Sequence, residues 1–412
     1  MTTLIFDIGT LVNVRENFKL LYGNELAFLP CIHNAYLLVE DGKIADYGSM
    51  EDIPFPVTDF TLRYSAEGRC ILPSYCDSHT HLVFAGSRED EFVDKIKGLS
   101  YSEIAARGGG ILNSAKKLQE TSEEALFQQS YKRLQEVIRS GTGAIEIKSG
   151  YGLTVEDELK MLRVIRRLKE SSQIPVRSTF LGAHAFPEQF KENREGYIKL
   201  IIEEMLPRVG KEGLADYIDV FCEKGFYTPE ETEKICLAGK EFGLKPKIHA
   251  NQLNASGGVQ AGVKMNAVSV DHLESMDEDA INCLANSKTI GTLLPTAAFF
   301  LRMPYQPARR LMESNCAIAL ASDYNPGSSP SGNMNFVISI SCIQMRMLPE
   351  EAINAATLNG AYAMELQDEA GSISRGKRAN LIMTVPVPSF QYIPYSFGNN
   401  LVEKVMVNGE FI

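Results

Sequence analysis

The sequence predicts an α/β fold: a (β/α)8 TIM barrel over residues 71–365, carrying a small β-sandwich-like domain built from both chain ends, 1–70 and 366–412. Three observations predict it. Short apolar runs alternate with helical periodicity through the middle of the chain, the pattern of βα repeats. Both ends read instead as hairpins. Five of the six histidines follow closely after an apolar run, where a parallel barrel gathers its reactive side chains.

The elements follow in order. Tyr36-Leu-Leu-Val39 leads through Asp41-Gly42 into Lys43-Ile-Ala-Asp-Tyr47, and Asp-Gly between β-prone runs signals a two-residue hairpin. Cys70 to Cys76 is the first apolar run of the barrel. Ser122 to Arg139 is helical, with Leu126, Leu134, Val137 and Ile138 on one face, and stops at Gly141. Ala144-Ile-Glu-Ile147 is a strand ending in Lys148-Ser-Gly150. Thr154 and Asp157 resemble a capping box before a helix marked by Met161, Ile165 and Leu168. Val176 to Leu181 is a strand, and a helix from about Glu195 to Leu206 ends before Pro207. Lys245–His249, Ala267–Asp271, Ile290–Leu294 and Cys316–Ala321 continue the strand series. At the C-terminal end Asn380-Leu-Ile-Met-Thr precedes Val402–Val407, an Asn408-Gly409 turn and Glu410-Phe-Ile412, so the two ends are expected to meet in one β-domain. A doubly wound sheet is the competing architecture for the middle.

Composition narrows the function. The 412 residues are 44% hydrophobic and 23% charged with a net charge of −11, which argues against a general nucleic-acid binder. The N-terminus lacks the basic and apolar regions of a signal peptide, and no apolar run approaches the roughly 20 residues of a membrane helix. The eight cysteines form no CxxC pair and read as reduced thiols of a cytoplasmic protein.

The histidines carry the chemistry. In His79-Thr80-His81 alternate residues point the same way, so two imidazoles can share one ion. His249 closes a strand, and Asp323 follows the apolar run Ala317–Ala321. Three imidazoles and a carboxylate suit a transition metal such as Zn or Fe rather than Ca2+ or Mg2+. Asp77 reads either as a carboxylate supporting that pair or as a strand-end cap. His33, away from these strands, reads as structural.

These residues resemble a known family. Asp77-Ser-His-Thr-His-Leu-Val-Phe-Ala-Gly-Ser-Arg88 with Glu91-Phe92, Gly98-Leu-Ser-Tyr-Ser-Glu-Ile104 with Gly108-Gly-Gly-Ile111, Glu146-Ile-Lys-Ser-Gly-Tyr-Gly-Leu153, Thr179-Phe-Leu-Gly-Ala-His184 and Ala321-Ser-Asp-Tyr-Asn-Pro-Gly-Ser-Ser-Pro330 are similar to the motifs of the imidazolonepropionases, within the amidohydrolases. The likeness runs through almost the whole chain. It implies water-driven ring opening of 4-imidazolone-5-propanoate to N-formimidoyl-L-glutamate in L-histidine degradation, one Zn or Fe per chain, and a homodimer. By motif it implies His79, His81, His249 and Asp323 as ligands. Arg88, Tyr151, His184 and Gln252 match positions that bind substrate, and Asn325, Gly327 and Ser328 match a loop that holds it. Some relatives carry Glu where Gln252 stands; an amide exchanges no proton at neutral pH, so Gln252 is limited to hydrogen bonding.

The mechanism expected on this basis uses a water of lowered pKa, with Asp323 touching both ion and water and His272 beside the carbonyl as shuttle or oxyanion partner. Either Asp323 or His272 supplies the leaving nitrogen with its proton. Arg88 pairs with the propanoate through parallel hydrogen bonds. Lys148 reads as an ordinary charge, because the single-metal pattern needs no bridging lysine. Gly108-Gly-Gly110 lacks the P-loop pattern and reads as a loop able to cover the mouth. Two other readings stay open: another single-metal amidohydrolase acting on a cyclic amide or nucleobase, against which Arg88 argues, and a non-catalytic assembly protein, which would be expected to have lost ligands.

Overall fold

The computed structural model describes residues 2–99 and 109–412. Most of the Gly98–Ile104 motif and Gly108 of the glycine run lie outside these residues, and with them the expected cover over the mouth.

Eight strands alternate with helices because each is buried along nearly its whole length and is covered on both faces. Tyr75–Asp77, Thr142–Lys148, Val176–Ala183, Tyr217–Cys222, Lys245–Ala250, Ser269–His272, Ile290–Leu293 and Ile318–Leu320 pair in that order, all parallel. The last strand returns to the first through a Thr80–Tyr324 bridge. The Asp323 N–H donates to His79 O (3.0 Å) and the His81 N–H to Tyr324 O (2.9 Å). Ser322 donates to Asp77 from both its backbone N–H (2.9 Å) and its hydroxyl (2.6 Å). Asp77 therefore pins the seam that closes the barrel. This is the expected (β/α)8 architecture, not a doubly wound sheet.

Two local differences from the sequence pattern have physical causes. The Tyr217–Cys222 strand is not foreshadowed, because Asp216 and Asp219 interrupt its apolar run; Asp219 is fully buried there. The helix expected to end before Pro207 instead continues. Arg194–Leu200 runs into a π-helical turn, Ile201–Met205, and on through Leu206–Glu212. The wider turn relaxes the i→i−4 ladder just where proline has no N–H to give. The predicted helices Glu123–Arg139 and Val155–Ser171 are present, capped by Ser122 and Thr154.

The chain ends meet in one mixed eight-stranded sheet. Thr2–Val12 pairs antiparallel with Cys31–Glu40 and parallel with Leu62–Ser65 and Cys70–Pro73. Cys70–Pro73 in turn pairs with Leu381–Thr384, and Val402–Val407 and Glu410–Phe411 complete that edge. Both expected hairpins form with positive φ at each turn residue, 49° and 80° at Asp41-Gly42 and 47° and 83° at Asn408-Gly409. Ile5, Ile8, Leu37, Val39, Ile71 and Leu381 make its apolar face. All eight cysteines are free. Among the described residues no helix is long and apolar enough to cross a membrane.

Candidate active site

The barrel's strand ends bring His79, His81, His249 and Asp323 to one point, each almost wholly buried. Nε2 of His81 lies 3.3 Å from Nε2 of His249. Oδ1 of Asp323 lies 3.5 Å from Nε2 of His79 and 3.7 Å from Nε2 of His81. A ring nitrogen of His79 is within 4.8 Å of one from His249 and one from His272.

The groups behind the imidazoles decide what this cluster can hold. His79 Nδ1 is 2.6 Å from Asp271 Oδ2, and His249 Nδ1 is 2.9 Å from Asp219 Oδ2. Nδ1–H therefore donates to a carboxylate in both rings, which leaves each Nε2 with a lone pair facing inward. The Nε2 of His79 is buried with no hydrogen-bond partner among the described residues. Lone pairs turned toward one another repel, and a buried orphan acceptor is costly. Burial, with the charge of Lys148 and the neighbouring imidazoles, holds His79 well below the usual imidazole range, and burial with His184 and His249 does the same for His81. Neutral rings with inward lone pairs, plus one carboxylate, fit a transition-metal cation.

Lys148 is no ordinary charge. It is fully buried, with Nζ 2.6 Å from Glu146 Oε1, 2.9 Å from Asp219 Oδ2 and 3.6 Å from Asp271 Oδ2. It ties together the two carboxylates that orient His79 and His249. Lys247, also fully buried, pairs with the other oxygen of Glu146. The rule that separates a bridging lysine from a surface one misses this third case: a charge kept inside because it is surrounded by opposite charge.

A cavity of about 660 Å3 opens above the cluster, lined by His81, Arg88, Tyr151, His184, His249, Gln252, His272, Asp323, Asn325, Gly327 and Ser328. Every site residue expected from the sequence lines it except His79, which lies beneath. His184 stacks on His81 (5.1 Å between centroids, 12°) and its Nδ1 is 3.1 Å from Gly150 O. Tyr151 is buried beside both rings. Asn325 is occupied in shaping its own loop: its amide donates to Asp323 O and Ser328 Oγ and accepts from the N–H groups of Gly327 and Ser328. Ser328 Oγ in turn donates to Asp323 Oδ2 (3.0 Å).

Arg88 points into the cavity, but Nε and Nη2 are both spent on Glu91 Oε2, at 2.9 and 2.5 Å. Nη1 remains, directed at Gly327, where any Cβ would collide with it. Lys95 lies alongside, its Nζ 3.4 Å from Gly327 O, and burial with the Arg88 charge pulls its pKa down. His33 lies on the terminal sheet, 3.2 Å from Thr10 Oγ1, outside the cavity. The groups not foreseen are Asp219, Asp271, Glu91 and Lys95. A lone carboxylate inside an apolar strand run, as in Tyr217-Ile-Asp-Val, is the one signal that could have found the first.

This barrel, with a histidine-rich cluster at its mouth, is that of a metal-dependent hydrolase, and the chain belongs to the amidohydrolase family, whose pattern residues 70–412 match. Within it the chain groups with the imidazolonepropionases. It is 58% identical over 413 aligned positions to the imidazolonepropionase of Flavobacterium johnsoniae, covering 100% of both chains. It is 40% identical over 404 positions to that of Clostridium tetani, covering 96% of this chain and 95% of the other. Solved structures share the fold at low identity. A triazine hydrolase variant superposes with a TM-score of 0.77 at 13% identity, covering 100% of this chain and 94% of that one. Escherichia coli guanine deaminase superposes at 0.74 and 13%, covering 100% and 99%.

Proposed function

We infer that this chain hydrolyses 4-imidazolone-5-propanoate to N-formimidoyl-L-glutamate, a ring opening in L-histidine degradation. The observation that carries the reading is the cavity itself: a neutral imidazole cluster at its floor and the cations Arg88 and Lys95 at one side, suited to a small ring bearing a carboxylate.

His79, His81, His249 and Asp323 would hold the ion, Zn or Fe by their donor chemistry. When bound, such an ion supplies Lewis acidity, lowering the pKa of water toward 7. The residues of the chain do the rest. Asp271 and Asp219 hold the His79 and His249 rings with Nε2 inward. Arg88 Nη1, with Lys95 beside it, takes the propanoate. Tyr151, His184 and Gln252 border the ring as hydrogen-bonding groups, and the Asn325–Ser328 loop closes the side next to Asp323. Water adds to the lactam carbonyl carbon, the ring C–N bond breaks, and the nitrogen leaves with a proton. Asp323, its Oδ1 facing the Nε2 atoms of His79 and His81, is the carboxylate placed to take a proton from the water. His272 lines the cavity with its Nδ1 3.5 Å from Glu274 Oε1, and gives the proton to nitrogen. Transfer of the first proton from Asp323 to His272 resets the pair.

The test is ultraviolet-monitored loss of imidazolone propanoate by purified protein, with and without a chelator, beside a panel of nucleobases. Turnover of a nucleobase and none of the imidazolone would replace this reading with that of an aminohydrolase. Elemental analysis identifies the metal. The homodimer, the cytoplasmic location and the division at 1–70 plus 366–412 and 71–365 belong to the same proposal, the first checked by light scattering against the 45.6 kDa chain.

A further inference from the structure

The Ser269–His272 strand ends in two successive non-glycine residues with left-handed backbone, His272 (φ 89°) and Leu273 (φ 68°). Side chains rarely tolerate this region, and such strain persists only where the surroundings impose it. The neighbouring strand does so here: the Leu273 N–H donates to Ala250 O (3.2 Å) and the Ser275 N–H to Asn251 O (2.8 Å). The tight turn folds Glu274 back on His272, placing Oε1 3.5 Å from Nδ1, with only 1% of the Glu274 side chain exposed.

Neither carboxylate oxygen of Glu274 accepts a properly formed hydrogen bond among the described residues, and Nδ1 of His272 is likewise unpartnered. No lysine or arginine among them pairs with Glu274. A carboxylate is rarely buried this way, because an unpaired charge in a dry site is expensive. Among the described residues the imidazole is the side chain whose N–H faces this carboxylate. Gln252, on the same cavity wall, cannot exchange a proton, so no second carboxylate at that position shares the task.

We infer that Glu274 is a positioning residue for His272: it receives the Nδ1–H, fixes the tautomer and ring orientation, and leaves Nε2 to serve the cavity. The inference rests on the reading of His272 as the group that gives the leaving nitrogen its proton. It adds to the site a dyad assembled by a strained turn.

A double-mutant cycle on the metal-loaded enzyme tests it. Glu274→Gln keeps the shape and removes the charge; it is expected to lower kcat about tenfold or more, with KM and metal content unchanged. His272→Asn is expected to lose on the order of a hundredfold. The double variant should be no slower than His272→Asn alone, because Glu274 acts only through that ring. Additive losses would overturn the inference, as would a wild-type kcat in Glu274→Gln beside a slow His272→Asn. Wild-type turnover in His272→Asn would instead overturn the reading of His272 itself. Should Glu274→Gln fail to fold, 15N NMR of the histidine-labelled wild-type protein decides: with six histidines, the His272 signals are those missing from His272→Asn. Protonated Nδ1 supports the dyad; the Nε2–H tautomer refutes it.

Discussion

Arg88 shows how much a single side chain's partners matter. Its guanidinium is held along one edge by Glu91, which also accepts from the Gly110 N–H and Asn113 Nδ2, so the arginine is fixed before any substrate arrives. Arg88→Lys should raise KM about tenfold or more while the bound metal stays, since an ammonium cannot hold Glu91 through a two-nitrogen edge and reach Gly327 as well. Steady-state kinetics with metal analysis on the same sample checks this; unchanged KM removes Arg88 from the binding site. The chemistry-bearing residues legible in the sequence are those that stand in short, self-contained words, His79-Thr-His81 above all. Their supports are not, because distance along the chain hides them: Asp271 lies 192 residues from His79, and Asp219 lies 30 from His249. Nothing in a sequence says which carboxylate folds over which ring.

At the scale of the element, the Asn325–Ser328 loop and the Tyr217–Cys222 strand make different contributions. The loop is a set of hydrogen bonds centred on the Asn325 amide, and Gly327 is there because Arg88 fills the space of a side chain. Gly327→Ala should push Arg88 aside and raise KM several-fold, with kcat and metal content less affected; equal loss of metal would show that the loop supports Asp323 instead. The strand brings Asp219 to three donors: the His249 backbone N–H, its Nδ1–H, and Lys148. Asp219→Asn should weaken metal retention about 10–100-fold in chelator competition. Strand existence is readable from apolar runs, and this strand escapes because its functional carboxylate breaks the run. The Pro207 helix escapes for a related reason: a π turn compensates locally for a residue that ordinarily ends a helix.

At the scale of the molecule, the barrel and terminal sheet are joined through buried polar groups, and one has a sign that can be worked out. Lys377 is almost fully buried, donating to Ala370 O (2.9 Å) and Ser372 Oγ (2.7 Å), 3.6 Å above the Phe18 ring. Burial pulls its pKa down to about 8; Cys76 and Asp368 oppose the shift and Arg15 adds to it. Between about pH 8 and the ordinary lysine range, the unfolded chain binds this proton and the folded chain does not. The stabilising contribution is therefore present above the unfolded value and lost as pH falls through about 8, worth at most about 3 kcal/mol. Melting temperatures of wild type minus Lys377→Met should rise from pH 7.5 to 10.5; a flat difference would show that Lys377 keeps its proton throughout. The sheet that shares this junction imposes an order on synthesis. Its opening strand, Thr2–Val12, lies beside Cys70–Pro73, whose other edge is covered only by Leu381–Thr384. While the ribosome is still making the barrel, that edge of Cys70–Pro73 stands bare, and the strand gains its second neighbour only when Leu381–Thr384 has followed it out.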